Sequence, residues 1–325
     1  MDLRPLDLTD DAALTQAYDV ECAALQAVRR GWVPLGAKAR IAAWQTPGGW
    51  RTSLVGAFDG DALLGFASSA TADDTPDTTW VDVYVHPDHQ RRGLGSQLAR
   101  AAEVASPDAV ERFVASAYLP TPAAVDSLVE GFAAGLGYAR ATDETVVELD
   151  LDSAHMSESV ALQGYTVSTH VDGVPESLRR EVGVVKGLVD AEAPNGDLAW
   201  EPTPVSEEEY AEEIALWTVQ GRTAVEAVAL DGDGTVAAWT CLLLPAADSP
   251  RAAQVVGTLV LGSHRGHGLG RAVKVASLRA ARERRAGLRV RTSSDNQNVW
   301  MHAINRELGF VPVESEVVLQ KRLRP

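Results

Sequence analysis

The feature that most constrains this 325-residue chain is a strand, glycine turn and helix that occur twice in the same order. Trp80-Val81-Asp82-Val83-Tyr84-Val85 leads into Gln90-Arg91-Arg92-Gly93-Leu94-Gly95, and a helical run follows from Ser96 to Ala105. Later, Val255-Val256-Gly257-Thr258-Leu259-Val260-Leu261 leads into Arg265-Gly266-His267-Gly268-Leu269-Gly270, followed by a helical run from Arg271 to Arg285. Other landmarks keep the same offset. The hairpin turns at Asp59 and Asp231 lie 172 residues apart, the glycine turns 175, and Tyr138 and Phe310 172. Three kinds of feature with one spacing imply a duplicated unit. The expected class is α+β (α/β): two tandem domains, each with helices on a mostly antiparallel, mixed sheet of about six or seven strands.

The expected boundaries are a first domain over 1–152, a linker over 153–162 and a second domain over 163–325. Within the first, Asp10-Asp11 caps a helix running to Val28, and Asp59-Gly60 turns a hairpin. A helix is expected from Pro122 to Ala134 and a closing strand from Thr145 to Leu149. In the second, Pro175 opens a helix as its first residue, Ser206-Glu207-Glu208-Glu209 has the form of a capping box, and a helix is expected from Asn298 to Glu307.

Charge narrows the partners. The net charge of −16 argues against a nucleic-acid backbone, and no apolar run approaches the ~20 residues of a membrane span. The acidic N-terminal stretch lacks an apolar core, so no secretory signal is expected, and Cys22 and Cys241 fit reduced thiols in a cytoplasmic protein. Residues 1–152 carry 11 basic against 23 acidic side chains, and residues 153–325 carry 18 against 22. The second half is therefore the better electrostatic host for a polyanion. No cysteine pair or histidine spacing suits a metal.

A glycine turn between a strand and a helix aims successive N–H groups at an anion. Neither turn ends in the Gly-Lys-Ser/Thr of a P-loop, and counting from Gly266 the sixth position is Arg271, which breaks the dinucleotide pattern. What remains is (Gln/Arg)-x-x-Gly-x-Gly after a strand that follows a hairpin. With the long helix after each turn and the Leu-Gly-Tyr/Phe endings at Tyr138 and Phe310, this resembles the GNAT (GCN5-related N-acetyltransferase) family over most of the chain. Tandem members of that family include mycothiol synthase, of similar length and layout, though its substrate residues find no specific match.

The resemblance implies that the amides of Gln90, Arg91, Arg92, Gly93, Leu94, Gly95 and Ser96 cradle the pyrophosphate of coenzyme A. Those of Arg265, Gly266, His267, Gly268, Leu269, Gly270 and Arg271 would do the same in the second half, with Lys274 nearby. It implies that Val83, Tyr84 and Val85, and Leu259, Val260 and Leu261, pair with the pantetheine arm. An amide near Val85 or Val260 would polarise the thioester carbonyl, and Asn298 would contact the cofactor. The expected reaction is transfer of acetyl from acetyl-CoA to the primary amine of a small molecule, by a monomer or homodimer. Val260, Asn298 and His264 of the second half are the candidate catalytic residues; His264 could instead merely shape the turn.

Departures from the family pattern bear on which half works. The tyrosine that often protonates the leaving thiolate is replaced by Ala133 and Asn305, and an acid sometimes found on the strand before the turn is Thr79 or Gln254 here. Asp82 lies on that strand too, facing either solvent or a site. Asn298, the milder charge and a fuller set of family residues favour the second half. The alternatives are a non-catalytic acyl-CoA-binding or scaffold protein, and a protein N-acetyltransferase.

Overall fold

A computed structural model of the chain describes residues 2–29, 31–46, 48–120, 127–157, 162–247, 249 and 251–323. The expected start of a helix at Pro122, and part of the expected linker, lie outside these residues. In chain order the elements are β1 (Asp2–Pro5), α1 (Asp11–Val28), α2 (Ala37–Gln45), β2 (Trp50–Asp59), β3 (Ala62–Ala72), β4 (Thr78–Val85), α3 (Leu94–Val104), β5 (Arg112–Pro120), α4 (Ser127–Gly135) and β6 (Ala139–Asp150). They continue with β7 (Thr166–Val171), α5 (Glu176–Gly187), α6 (Val189–Glu192), α7 (Glu207–Val219), β8 (Thr223–Leu230), β9 (Val236–Leu244), β10 (Ala252–Val260), α8 (Leu269–Arg284), β11 (Arg289–Asp295), α9 (Val299–Leu308) and β12 (Val311–Arg322).

The expected caps form. Asp10 accepts from the amides of Ala12 and Ala13, and Ser206 and Glu209 exchange both bonds of a capping box. Pro175 sits one position earlier than expected, at the N-cap of α5.

The chain packs as two compact units, 1–144 with 314–325, and 145–313. These differ from the boundaries read at 152 and 163, and pairing explains why. From Glu314 the final strand β12 runs antiparallel to β5, from Glu314↔Pro120 to Arg322↔Arg112, while Lys321 bonds to Glu103 of α3 at 2.6 Å. The first unit's strand order is thus β1-β2-β3-β4-β5-β12. Val147 and Leu149 of β6, with Leu151 just after it, enter the second unit's core, and Glu148 holds Arg289 and Arg291 of β11 at 2.8 Å each. That unit's order is β6-β11-β10-β9-β8-β7. Each unit's strand order holds six strands among the described residues, and in each one parallel pair, β4/β5 or β10/β11, interrupts the antiparallel pairings.

In the first unit, one core lies under α3 and α4, around Leu94, Leu98, Phe113 and Val317, and another under α1 and α2, around Leu14, Trp44, Leu54 and Phe66. The second unit buries Leu278, Leu288, Leu308 and Phe310 in one cluster. Tyr210, Trp217 and Trp239 form another beneath α5 and α7.

Candidate active site

Both parallel pairs part after three residues. β4 pairs with β5 only over Thr78–Trp80 with Arg112–Val114, and β10 pairs with β11 only over Ala252–Gln254 with Arg289–Arg291. Beyond those points β4 and β10 continue to Val85 and Val260 with one edge unladdered among the described residues. Which groups face that edge follows from alternation along the ladder on the other side. His86 and Leu261 donate to Leu64 and Ala237 of the neighbouring strands, at 2.9 and 3.0 Å. Val83 and Val85 in the first unit, and Thr258 and Val260 in the second, therefore turn their N–H and C=O groups into the gap. An extended ligand laid there meets a strand edge.

The glycine turns close the top of each gap. Gly93 and Gly268 take φ of 82° and 75° and start α3 and α8, and Gly266 takes 85°. No residue from Arg91 to Ser96 or from Gly266 to Arg271 directs its N–H to a backbone or side-chain acceptor among the described residues; the first helical bonds are Gln97 to Gly93 and Ala272 to Gly268. A Cβ placed on Gly266 or Gly268 would meet nothing within 4 Å, so the space above those amides is open. Each turn is tied to its strand in the same way: Gln90 Nε2 donates to the Val85 carbonyl at 3.0 Å, and Arg265 Nε to the Val260 carbonyl at 3.2 Å. That shared contact explains why glutamine and arginine interchange at the first motif position. Gly95 and Gly270 serve packing, since a Cβ there would approach Phe132 or Ile304 at 3.4 or 3.3 Å.

The cationic side chains differ between the turns. Arg91 is exposed and adopts a left-handed φ of 62° where the second turn has Gly266, and Arg92 reaches the Asp88 carbonyl at 3.0 Å. In the second turn Arg265 is paired with Glu192, and Arg271 binds Glu307 at 2.6 Å and Ser157 at 2.7 Å. Lys274, expected beside the phosphates, is only 2% exposed. It lies four residues after Gly270, on the same buried face of α8, with Nζ 3.7 Å from Met301 Sδ and 5.6 Å from the Phe310 ring. Burial lowers its pKa to about 8. Asn298 is the N-cap of α9, its side-chain oxygen accepting from Met301 N–H at 3.1 Å. His264 is held by Tyr165, whose hydroxyl is 3.1 Å from Nδ1, and Tyr165 also packs against His267.

The two gaps differ most on the face covered by the first helices of each unit. In the first unit Asp82 and Tyr84 of β4 stand on that face under α1 and α2. Asp82 lies 3.4 Å from Ser68 Oγ, and Tyr84 packs on Phe66 at 5.1 Å. Glu21 of α1 is bonded to Arg40 of α2 at 2.8 Å. Across the gap, Arg29 stacks on the Tyr118 ring at 3.5 Å and pairs with Glu314. Glu316 of β12 joins Tyr118 and Ser116 there. Asp82, Tyr84, Tyr118 and Glu316 are half-buried by accessible surface yet closely surrounded by protein. Loss of hydration dominates: it raises the pKa of Asp82 against the pull of Arg40 and Ser68, and raises those of Glu21 and Glu316. The same desolvation, with the neighbouring carboxylates, holds the Tyr84 and Tyr118 hydroxyls protonated.

In the second unit the register puts Gly257 opposite Cys241 where the first has Asp82 opposite Ser68, and Leu259 where it has Tyr84. A Cβ on Gly257 would meet Trp239 at 3.0 Å and Val189 at 3.5 Å, so the space is filled. Around it Glu226 accepts from Tyr210 and from Trp239 Nε1, and Lys186 pairs with Glu213. These polar groups satisfy one another inside the core. β10 also carries a bulge between Val255 and Gly257, absent from the unbroken register of β4 with β3.

The family model for the acetyltransferase (GNAT) family matches twice, over residues 21–125 and 195–310. The chain belongs to the GNAT family. Among solved structures, a tandem GNAT protein from the clavulanic acid biosynthesis pathway, described without acetyl-CoA, superposes with a TM-score of 0.82 at 24% identity, covering 100% of this chain and 99% of its own. A GCN5-related N-acetyltransferase from Sphaerobacter thermophilus gives 0.69 at 18% identity, covering 100% and 96%. These likenesses extend the tandem GNAT fold over the whole chain. No curated protein sequence matches. Among the described residues no helix is long and apolar enough to cross a membrane, and no cluster suits a metal ion.

Proposed function

We propose that the chain is an acetyl-CoA-dependent N-acetyltransferase that acylates the primary amine of a small molecule, with the chemistry in the first unit. The observation that carries the placement is Asp82, a desolvated carboxylate on the strand that borders an open gap, beneath a complete glycine turn. Sequence alone favours the second unit. There, however, the matching position is Gly257, filled over by Trp239, while Asn298 caps a helix and Lys274 points inward.

Acetyl-CoA, when bound, supplies an acyl group activated as a thioester. Coenzyme A suits the free amides of each turn, which in the second face open space, and the unladdered edges of Val83–Val85 and Thr258–Val260. In the first unit the N–H groups of Val83 and Val85 would orient and polarise the acyl oxygen. Asp82 would take the proton that the amine sheds, directly or through one water. Tyr118, kept protonated, would return a proton to the departing sulfur, a role the missing tyrosine at Ala133 leaves open. The intact second turn and the bulged edge of β10 support coenzyme A binding there without acid–base chemistry.

Amine-dependent release of coenzyme A across a panel of small amines tests this reading. Asp82→Asn is expected to lower turnover by about 100-fold or more while leaving coenzyme A affinity unchanged. Wild-type turnover should rise with pH through a value above the ordinary carboxylate range. Undiminished turnover in Asp82→Asn would sink the placement, and a protein silent with every amine but binding acetyl-CoA tightly would favour a scaffold.

A further inference from the structure

Beside Tyr118 stands an arginine that the transferase reading leaves without a role. Ala115 and Ala117 of β5, and Val81, Val83 and Val85 of β4, pack into the core under α3 and α4. Alternation therefore puts Ser116 and Tyr118 on the same face as Asp82 and Tyr84. Helix α1 ends at Arg29, whose extended backbone (φ −106°, ψ 100°) leads the chain out of the helix. Its Cζ lies 3.5 Å from the centre of the Tyr118 ring and 5.7 Å from that of Trp32. Nε donates to both Glu314 oxygens, at 3.2 and 3.0 Å, and Nη2 to one of them. With side chains only 11% and 6% exposed, this two-pronged pair fixes the guanidinium in place. Glu316, two residues further along β12, lies directly across the ladder from Tyr118. These neighbours act in opposite directions. Loss of hydration raises the pKa of the Tyr118 hydroxyl, as do Glu316 and Asp82, which makes it a reluctant donor. The Arg29 cation over the ring favours the phenolate and draws the pKa down.

We propose that Arg29 is a positioning residue for the acid step, holding the Tyr118 ring and stabilising the phenolate left when its proton goes to sulfur. On the transferase reading, on which this rests, the amine nitrogen bonds to the acyl carbon and the C–S bond breaks with its electron pair on sulfur. Sulfur then takes the Tyr118 proton. The proton that the amine gave to Asp82 returns through water to the phenolate, so no charge accumulates. Glu314 keeps the guanidinium over the ring rather than against Glu316 or Asp82. A mere latch between α1 and β12 would use the same contacts, so the test has to read the chemistry.

Coenzyme A release from acetyl-CoA is followed with propylamine, benzylamine and glucosamine, using whichever of them the full chain acylates fastest. Tyr118→Phe should lower kcat about 100-fold. Arg29→Met should lower kcat about tenfold with both KM values unchanged, and Arg29→Lys, which keeps the charge, should recover part of the loss. Because Arg29→Met strands Glu314 in the interior, the same change combined with Glu314→Gln covers a failure to fold. In the Tyr118→Phe background neither version should cost anything further in kcat. Unchanged kcat in Arg29→Met, an equal loss in the Tyr118→Phe background, or a loss confined to KM would overturn the role of Arg29 and leave Tyr118 as the acid. Wild-type turnover in Tyr118→Phe would overturn the acid and its positioning residue together, while Asp82 stands or falls by its own variant. Silence with all three amines would overturn the transferase reading and the role of Arg29 with it.

Discussion

The first and second units share a backbone device and differ in what surrounds it. In both, a parallel pair parts after three residues and a glycine turn stands over the gap with free amides. Under β4 the neighbouring face holds Asp82, Tyr84, Glu21 and Arg40; under β10 the same face is closed by Trp239 over Gly257. Duplication thus kept the part that depends on backbone geometry, while the side chains beside it diverged into a polar, half-open cluster and a sealed aromatic core. Binding a thioester needs the first kind of feature, and moving protons needs the second.

The comparison can be broken at several points. The largest change in stability is expected at Lys274. Its folded pKa of about 8 lies below the ordinary 10.5, so the folded state binds fewer protons than the unfolded one between those values, and stability should rise with pH across that window. Lys274→Met should remove the penalty and stabilise the protein by roughly 3 kcal/mol at most near neutral pH, with coenzyme A affinity unchanged. Weakened coenzyme A binding in that variant would return Lys274 to the phosphates. A smaller effect is expected at Gly257. Gly257→Ala should cost about 1–3 kcal/mol in a denaturant titration, because its Cβ presses on Trp239; a neutral result would mean that the space under β10 is open after all. The smallest belongs to Asn298→Ala, where loss of the cap should cost about 1 kcal/mol and leave coenzyme A affinity intact.

Much of the fold was legible because its signals are local. The Asp59-Gly60 turn, the Ser206 capping box and the two glycine turns each declare themselves within a few residues. The division of the chain was not, since β12 joins β5 across about two hundred residues of sequence and nothing near Glu314 records that partner. Helix α2 also went unforeseen: it buries only Ala39 and Trp44, too few positions for a clear periodic stripe. At the site, Lys274 could have been placed inward from its spacing after Gly270. Asp82 could not be resolved between solvent and site, because its desolvation comes from α1 and α2, whose placement over β4 is a tertiary fact. Tyr84 was read only as a strand edge and Tyr118 was missed, for the same reason.

The central claim is that the first unit performs the chemistry and the second binds coenzyme A without it. Its most direct test is amine-dependent coenzyme A release by Gly93→Glu and Gly268→Glu, which place a charged side chain on a left-handed turn residue of one unit or the other. Loss of turnover in Gly93→Glu, with turnover retained and one coenzyme A site lost in Gly268→Glu, is the predicted result. Retained turnover in Gly93→Glu and its loss in Gly268→Glu would contradict the account.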